Sequence, residues 1–501
     1  MSLPQYNAGG LPVTTRSILM SWVQRRPEYV VATVFVAAMF MNILDTTVVN
    51  VALPAMAHQF GVRATDVEWV VIGYLMSLAV WIPASGWMGD RFGTKRTFLV
   101  ALALFTLASA LCGLAPSLSW LVAARILQGV GGGMMSPVGT AMLFRAFPPE
   151  RRANAARVLI IPTVVAPALG PVLGGFLVDT LSWHWVFLVN VPMGIAAFAF
   201  GAWALKEHRE PGVGRFDVAG FLLAGVGLSL LLYALSTGPV LGWGLPSVMG
   251  AAAVGALAAG AFVWNELRVK NPMLKLRLLA DRHFRNTNMA AGFGSAGFVG
   301  VLFLMPVFLQ GARGESAFSS GLTTFPEALG VLCSSQLVGK LYPRVGPRRL
   351  IALGLTCMSV CTLFVAFVGL RADLWVLRLL MFATGASMAF LFISQQAATF
   401  AKVSSADTGH ASAIFNTQRQ VASMLGVALL ATLLSARLGA GGVRASPESF
   451  EAFRLAFIAA AVIVLGGVAA GLSIRDEDAA STMRGGVRKP LSAEASEAAL
   501  P

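Results

Sequence analysis

Apolar residues along this chain come in long unbroken runs, not in alternation with polar ones. A helix needs roughly 20 apolar residues to cross a hydrocarbon core about 30 Å thick. Such runs recur at 31–55, 68–89, 97–115, 119–143, 158–178, 186–205, 217–236, 247–267, 287–310, 321–341, 350–369, 374–396, 412–436 and 454–474. The pattern predicts an all-α integral membrane protein of about fourteen transmembrane helices. A membrane β-barrel would alternate polar and apolar side chains along each segment, and these runs do not. Composition agrees, since 56% of the 501 residues are hydrophobic and only 12% are charged. The mean hydropathy of +0.74 lies far above that of a soluble domain.

Charge adds orientation. Most of the 37 lysines and arginines fall in the tails and in the loops of one side, which the positive-inside rule assigns to the cytoplasm. Both termini are expected there. No short apolar core with a cleavage site precedes the first span, so no cleaved signal peptide is expected. The formal net charge of +14 then marks anchoring against anionic lipid; nucleic acid is not an expected partner. Cys112, Cys333, Cys357 and Cys361 lie inside predicted helices without CxxC spacing, and the five histidines are scattered. Neither a disulfide nor a metal site is expected. No Walker motif is present, which argues against an ATP-driven pump.

Against this apolar background a few polar residues stand out. The stretch MNILDTTVVN (41–50) places Asp45 in mid-span, where a carboxylate costs roughly 2.5–3.5 kcal/mol on insertion scales. An acid there can exchange a proton as its surroundings change, or it can simply bond Thr46, Thr47 or a partner helix. Arg125 opens RILQGVGGG in the fourth span; it is the natural electrostatic partner, with snorkelling to the outer surface as the alternative. Gln128 lies one turn further on the same face. Asn50, Gln128 and the NTQRQ cluster of Asn416, Arg419 and Gln420 are candidates for the substrate or proton path, an interhelical hydrogen-bond network being the other reading. Glu327 follows Pro326 near the outer part of its span and is expected at the water boundary. The glycine run after Gln128 follows no strand, so it serves close helix approach, not nucleotide binding.

An internal repeat gives the architecture. Residues 86–96 read GWMGDRFGTKR and residues 339–349 read GKLYPRVGPRR, each between the second and third helices of a six-helix unit. The copies lie 253 residues apart (339 minus 86), more than six helices with short loops require. The surplus, about 208–286, holds two apolar runs and a basic connection, ELRVKNPMLKLRLLADRHFRN.

The segment GWMGDRFGTKR resembles the inner-loop motif of the major facilitator superfamily. Further segments are similar to the fourteen-helix drug:proton antiporter family: LDTTVVNVALP (44–54), RILQGVGGG (125–133), APALGPVLGG (166–175), WHWVFLVNVPMG (183–194), FDVAG (216–220) and SAIFNTQRQVASMLGVALL (412–430). Pro343, at the acidic position of the second inner loop, and His184 depart from that pattern.

The resemblance implies two six-helix bundles related by a pseudo-twofold axis, with two inserted helices. The expected organisation is a tail at 1–28, a first bundle at 29–207, the inserted pair and its connection at 208–286, a second bundle at 287–474 and a tail at 475–501. It implies proton coupling through Asp45 and Arg125. Gly86, Asp90, Arg91, Gly93 and Arg96 become a conformational latch between bundles. Pro167, Gly170, Pro171, Gly174 and Gly175 become a bent helix sealing the bundle interface. The implied function is proton-driven export of amphipathic drugs or toxic small molecules across a bacterial inner membrane by alternating access, without a cofactor. Its partners are the small amphipathic substrate, protons and the bilayer; a periplasmic adaptor and the oligomeric state are left open. A dedicated exporter of an endogenous metabolite, antibiotic or lipid is the alternative. A non-transporting membrane enzyme or sensor is a remote one, because neither clustered catalytic groups nor an appended soluble domain is in evidence.

Overall fold

A computed structural model of the chain describes residues 27–62, 67, 69–148, 151, 155–156, 158–368, 372–438 and 447–483. Most of both expected tails lies outside the described residues. Fourteen helices of fifteen residues or more follow one another among those described: α1 (Pro27–Phe60), α2 (Trp69–Phe92), α3 (Thr94–Gly113), α4 (Leu118–Ala146), α5 (Ile160–Thr180), α6 (Asn190–Ala204), α7 (Val218–Leu241), α8 (Pro246–Arg268), α9 (Arg282–Val307), α10 (Ala317–Val345), α11 (Pro347–Val368), α12 (Leu374–Thr399), α13 (Thr408–Leu438) and α14 (Pro447–Leu472). Each predicted span corresponds to one of them. Eleven are long and apolar enough to cross a membrane, that of α6 including the short helical turn Trp185–Leu188 and that of α9 including the wider turn Phe308–Ala312.

Several helices outrun their apolar stretches. Polar ends remain helical where a side chain satisfies the free N–H groups of the first turn. Ser117 caps α4, Asp217 α7, Asp281 α9, Ser316 α10 and Asp373 α12. At 1.5 Å rise per residue, the 34 residues of α1 span about 51 Å. Both ends therefore reach past the hydrocarbon.

Packing repeats with an offset of eight helices. In the first half α2 packs on α4, α3 on α4 and α6, and α1 on α4, α5 and α6. In the second half α10 packs on α12, α11 on α12 and α14, and α9 on α12, α13 and α14. The two bundles meet along two equivalent seams, α2 with α13 and α5 with α10. The inserted pair breaks the symmetry: α7 lies against both α2 and α13, with α8 packed on its other side. This is the major facilitator architecture, with an insertion covering one seam.

The repeated loops have a common backbone solution. Gly93 (φ +100°) and Gly346 (φ +85°) turn the chain between the second and third helices of each half. L-residues rarely adopt that conformation. Directly beyond, the N–H groups of Lys95 and Arg96 donate to Glu207, and that of Arg348 donates to Asp476. An acid from the segment after the sixth helix thus caps the third helix in both halves.

Candidate functional site

The α4 backbone comes unusually close to its neighbours, and glycine permits it. A Cβ at Gly129 would lie 2.5 Å from the Tyr74 carbonyl oxygen, and one at Gly133 2.6 Å from that of Leu78. The glycine run therefore brings α4 against α2, and this places Arg125 over the Tyr74 ring at 4.2 Å. Arg125 is fully buried, so the snorkelling alternative is excluded.

Arg125 and Asp45 form the centre of a closed polar network. Arg125 Nη1 donates to Asp45 Oδ2 at 2.5 Å and to Gln128 Oε1 at 2.8 Å, while its Nε donates to the Val70 carbonyl at 3.1 Å. Gln128 Nε2 and Asn190 Nδ2 each donate to Asp45 Oδ1 at 3.0 Å. Asn190 also donates to Ser109 Oγ at 3.2 Å. Asp45 is 1% exposed, and Gln128 and Asn190 are sealed entirely. An isolated buried charge is untenable, but a carboxylate with a guanidinium and two amide donors has all it needs.

Beside this network is a cavity of about 290 Å³ between the bundles, lined from α1, α2, α4 and α13. Asn42 lines it, accepts a hydrogen bond from Tyr74 Oη at 3.0 Å, and so joins the cavity to the ring stacked on Arg125. Asn416, Arg419 and Gln420 line the opposite wall. Asn416 also bridges the bundles by accepting from Ser136 Oγ at 3.1 Å. Asn50 takes no part; it is exposed on α1 and lines neither network nor cavity. Glu327, expected at the water boundary, is instead buried at 5% exposure.

The inner-loop motif divides in two. Gly86 and Asp90 face the second bundle: a Cβ at Gly86 would lie 2.8 Å from the Gly409 carbonyl, and one at Gly409 2.6 Å from an Asp90 oxygen. Asp90 thus sits at the positive N-terminal end of α13. Arg145 bonds Asp90 at 2.9 Å and the Ser405 carbonyl at 3.1 Å, tying α2 and α4 to the loop before α13. Arg91, Gly93 and Arg96 turn instead to the segment after α6, where Arg91 donates to the Val213 carbonyl and Arg96 pairs with Glu207 at 3.7 Å. Ser412 donates to the Pro137 carbonyl and the Phe144 and Phe400 rings stack at 4.5 Å, so the bundles are in contact throughout this basic end. Beneath it Lys275 pairs with Asp407 at 2.6 Å. Partial burial works against the Asp407 charge, but hydrogen bonds from Lys275 and Ser404 outweigh it and hold that carboxyl below its ordinary range.

The fifth-helix glycines face elsewhere than expected. A Cβ at Gly170 would collide with Thr47, and one at Gly174 would come within 3.1 Å of the Val48 carbonyl, both on α1. Gly175 meets nothing, and Pro167 is half-buried. The side chain of Pro171 lies outside the described residues. These glycines therefore press α5 onto α1 within one bundle, two positions from Asp45, while α5 as a whole also packs on α10.

Sequence reasoning missed Asn190, Tyr74, Asn42, Ser109 and Arg145. Asn190, Tyr74, Asn42 and Ser109 are polar groups inside apolar runs, the signal that marked Asp45, whereas Arg145 lies past the end of its run in the last turn of α4.

A model of the Major Facilitator Superfamily matches residues 35–427 and 328–496. Putative multidrug resistance protein MdtD of Serratia proteamaculans (strain 568) is 31% identical over 425 residues, covering 85% of this chain and 89% of that protein. The protein of the same name from Klebsiella pneumoniae subsp. pneumoniae is 36% identical over 403 residues, covering 79% and 84%. Among solved structures, the human organic anion transporter MFSD10 superposes with a TM-score of 0.63 at 16% identity, over 87% of this chain and 99% of that one. The proton:xylose symporter XylE gives 0.60 at 15%, over 87% and 94%.

Proposed function

This chain belongs to the major facilitator superfamily, a transporter and not an enzyme, and we propose that it is a proton-coupled antiporter of the fourteen-helix drug:proton branch. In this reading it exports amphipathic small molecules across a bacterial inner membrane, with its basic end and both termini in the cytoplasm. The MdtD relatives support drug efflux. The observation that carries proton coupling is the buried Asp45–Arg125 pair, connected to the cavity through Tyr74 and Asn42.

A proton arriving on Asp45 replaces the guanidinium as the neutralising partner. Arg125 then loses its counter-charge in a fully buried site, and must move or find other acceptors. Because the Tyr74 ring lies on Arg125 and its hydroxyl holds Asn42, that movement reaches the cavity wall. The latch of Gly86, Asp90 and Arg145 holds the basic end shut in the outward-facing state and lets go as the bundles rock about the cavity. One proton entering through the potential supplies about 2.3 kcal/mol per 100 mV, enough for a modest uphill gradient of substrate.

Everted vesicles energised to an acid interior test this. Drugs of a mixed panel are added and proton efflux is followed. Efflux in the unaltered protein and none in Asp45→Asn is expected; efflux persisting in the variant would remove Asp45 from the coupling path.

A further inference from the structure

Arg419, half-buried at the cavity wall, differs from the buried Arg125 in having no counter-charge among the described residues. Among the described residues its guanidinium makes no hydrogen bond or ion pair, and the Phe392 and Phe415 ring centroids lie 5.8 and 5.9 Å from it. Among the described residues it is the one ionisable side chain lining the central cavity. Asp45, on α1, is already engaged by Arg125, Gln128 and Asn190. A guanidinium at membrane depth is costly unless a counter-charge, a carbonyl, water or a ligand completes it, and its planar fork matches the two oxygens of a carboxylate or the oxygens of a phosphate. An organic cation would meet a like charge there.

A second cavity, of about 120 Å³, lies behind the same wall, between α2, α7 and α13. Leu228, Leu231, Leu232 and Leu235 of the inserted helix form one side, and among the described residues Thr417 and Gln420 are its only polar lining groups. Ile82 and Gln420 border both cavities. The side cavity exists because α7 covers the α2–α13 seam; among the described helices α7 packs on neither α5 nor α10, which form the equivalent seam.

Resting on the transporter reading above, we propose that the substrate is an anionic amphipath. Its carboxylate or phosphate head lies on Arg419 between Asn416 and Gln420, and its own hydrocarbon tail passes Ile82 and Gln420 into the side cavity beneath α7. The insertion then works as a specificity element, adding an apolar slot to a site whose polar half comes from the two bundles.

The test is equilibrium binding to the full chain in lipid nanodiscs, with empty discs subtracted, using octanoate, dodecanoate and dodecyltrimethylammonium. Dodecanoate should bind more tightly than the cation of equal chain length. It should also bind more tightly than octanoate, by about 4-fold for each methylene that enters the side cavity. Arg419→Gln should weaken dodecanoate about 10-fold or more, with Arg419→Lys retaining part of the affinity. Leu231→Trp should abolish the gain from octanoate to dodecanoate while leaving octanoate binding intact. Equal or tighter binding of the cation, or no effect of Arg419→Gln, would overturn the anionic head site. A chain-length gain that survives Leu231→Trp would overturn the tail site and leave the slot to bilayer lipid. These outcomes need no proton gradient, so they stand apart from the Asp45→Asn vesicle result that tests coupling.

Discussion

Arg125 on α4 is fully buried, bonded to Asp45, Gln128 and the Val70 carbonyl, and stacked on Tyr74. The repeat register of 253 puts Arg378 at the equivalent position of α12 (378 minus 125), where it is half-buried and lies over the Trp375 ring at 4.6 Å. Tyr74 has Glu327 as its counterpart (327 minus 74), and Glu327 Oε1 has no hydrogen-bond partner among the described residues. The first half locks its charges into a buried network of complementary groups. The second half presents to the cavity, from α13, an arginine without an ion pair among the described residues. Equal helix packing therefore does not carry equal chemistry: the repeat supplies two matching frames, and polar substitutions inside them make one half the coupling unit and the other a wall for substrate.

Breaking the network should cost most. Arg125→Ala leaves Asp45 buried without its counter-charge, and should lower stability by about 3–5 kcal/mol, seen as a lower unfolding midpoint in detergent, along with loss of coupled export. Next comes Asn190→Ala, which removes one of three donors to Asp45 and should cost about 1–3 kcal/mol while shifting the pH profile of transport. Smallest is Arg378→Gln, which should change coupled transport less than about 2-fold, since its position is partly exposed and holds no acid. If Arg378→Gln matched Arg125→Ala in either measurement, the asymmetry between halves would be wrong.

Much of the frame was legible because membrane helices announce themselves by length and apolarity. The ends were less so: α13 begins at Thr408 and α14 at Pro447, in polar sequence ahead of the predicted spans at 412 and 454. Of the site, Asp45 and Arg125 were legible because a charge in hydrocarbon is conspicuous. Asn190 and Tyr74 were not, since an asparagine or tyrosine in a span costs too little to stand out, and their contacts join positions as far apart as 45 and 190. The division of the inner-loop motif was hidden for a different reason. Asp90 and Arg91 are neighbours in sequence, yet on the helix surface they point apart, one to Arg145 and α13 and the other to the Val213 carbonyl. The α5 glycines likewise show small size in the sequence but not the helix they approach.

Proton release on ligand binding addresses the coupling site most directly. Purified protein in weakly buffered detergent solution is mixed with a substrate identified in the vesicle screen, at a pH where transport is active, and the pH change is recorded for the unaltered chain and for Asp45→Asn. The account predicts release of protons from the unaltered chain and none from Asp45→Asn, with substrate still bound by the variant. The same release from Asp45→Asn would contradict it and place the proton elsewhere.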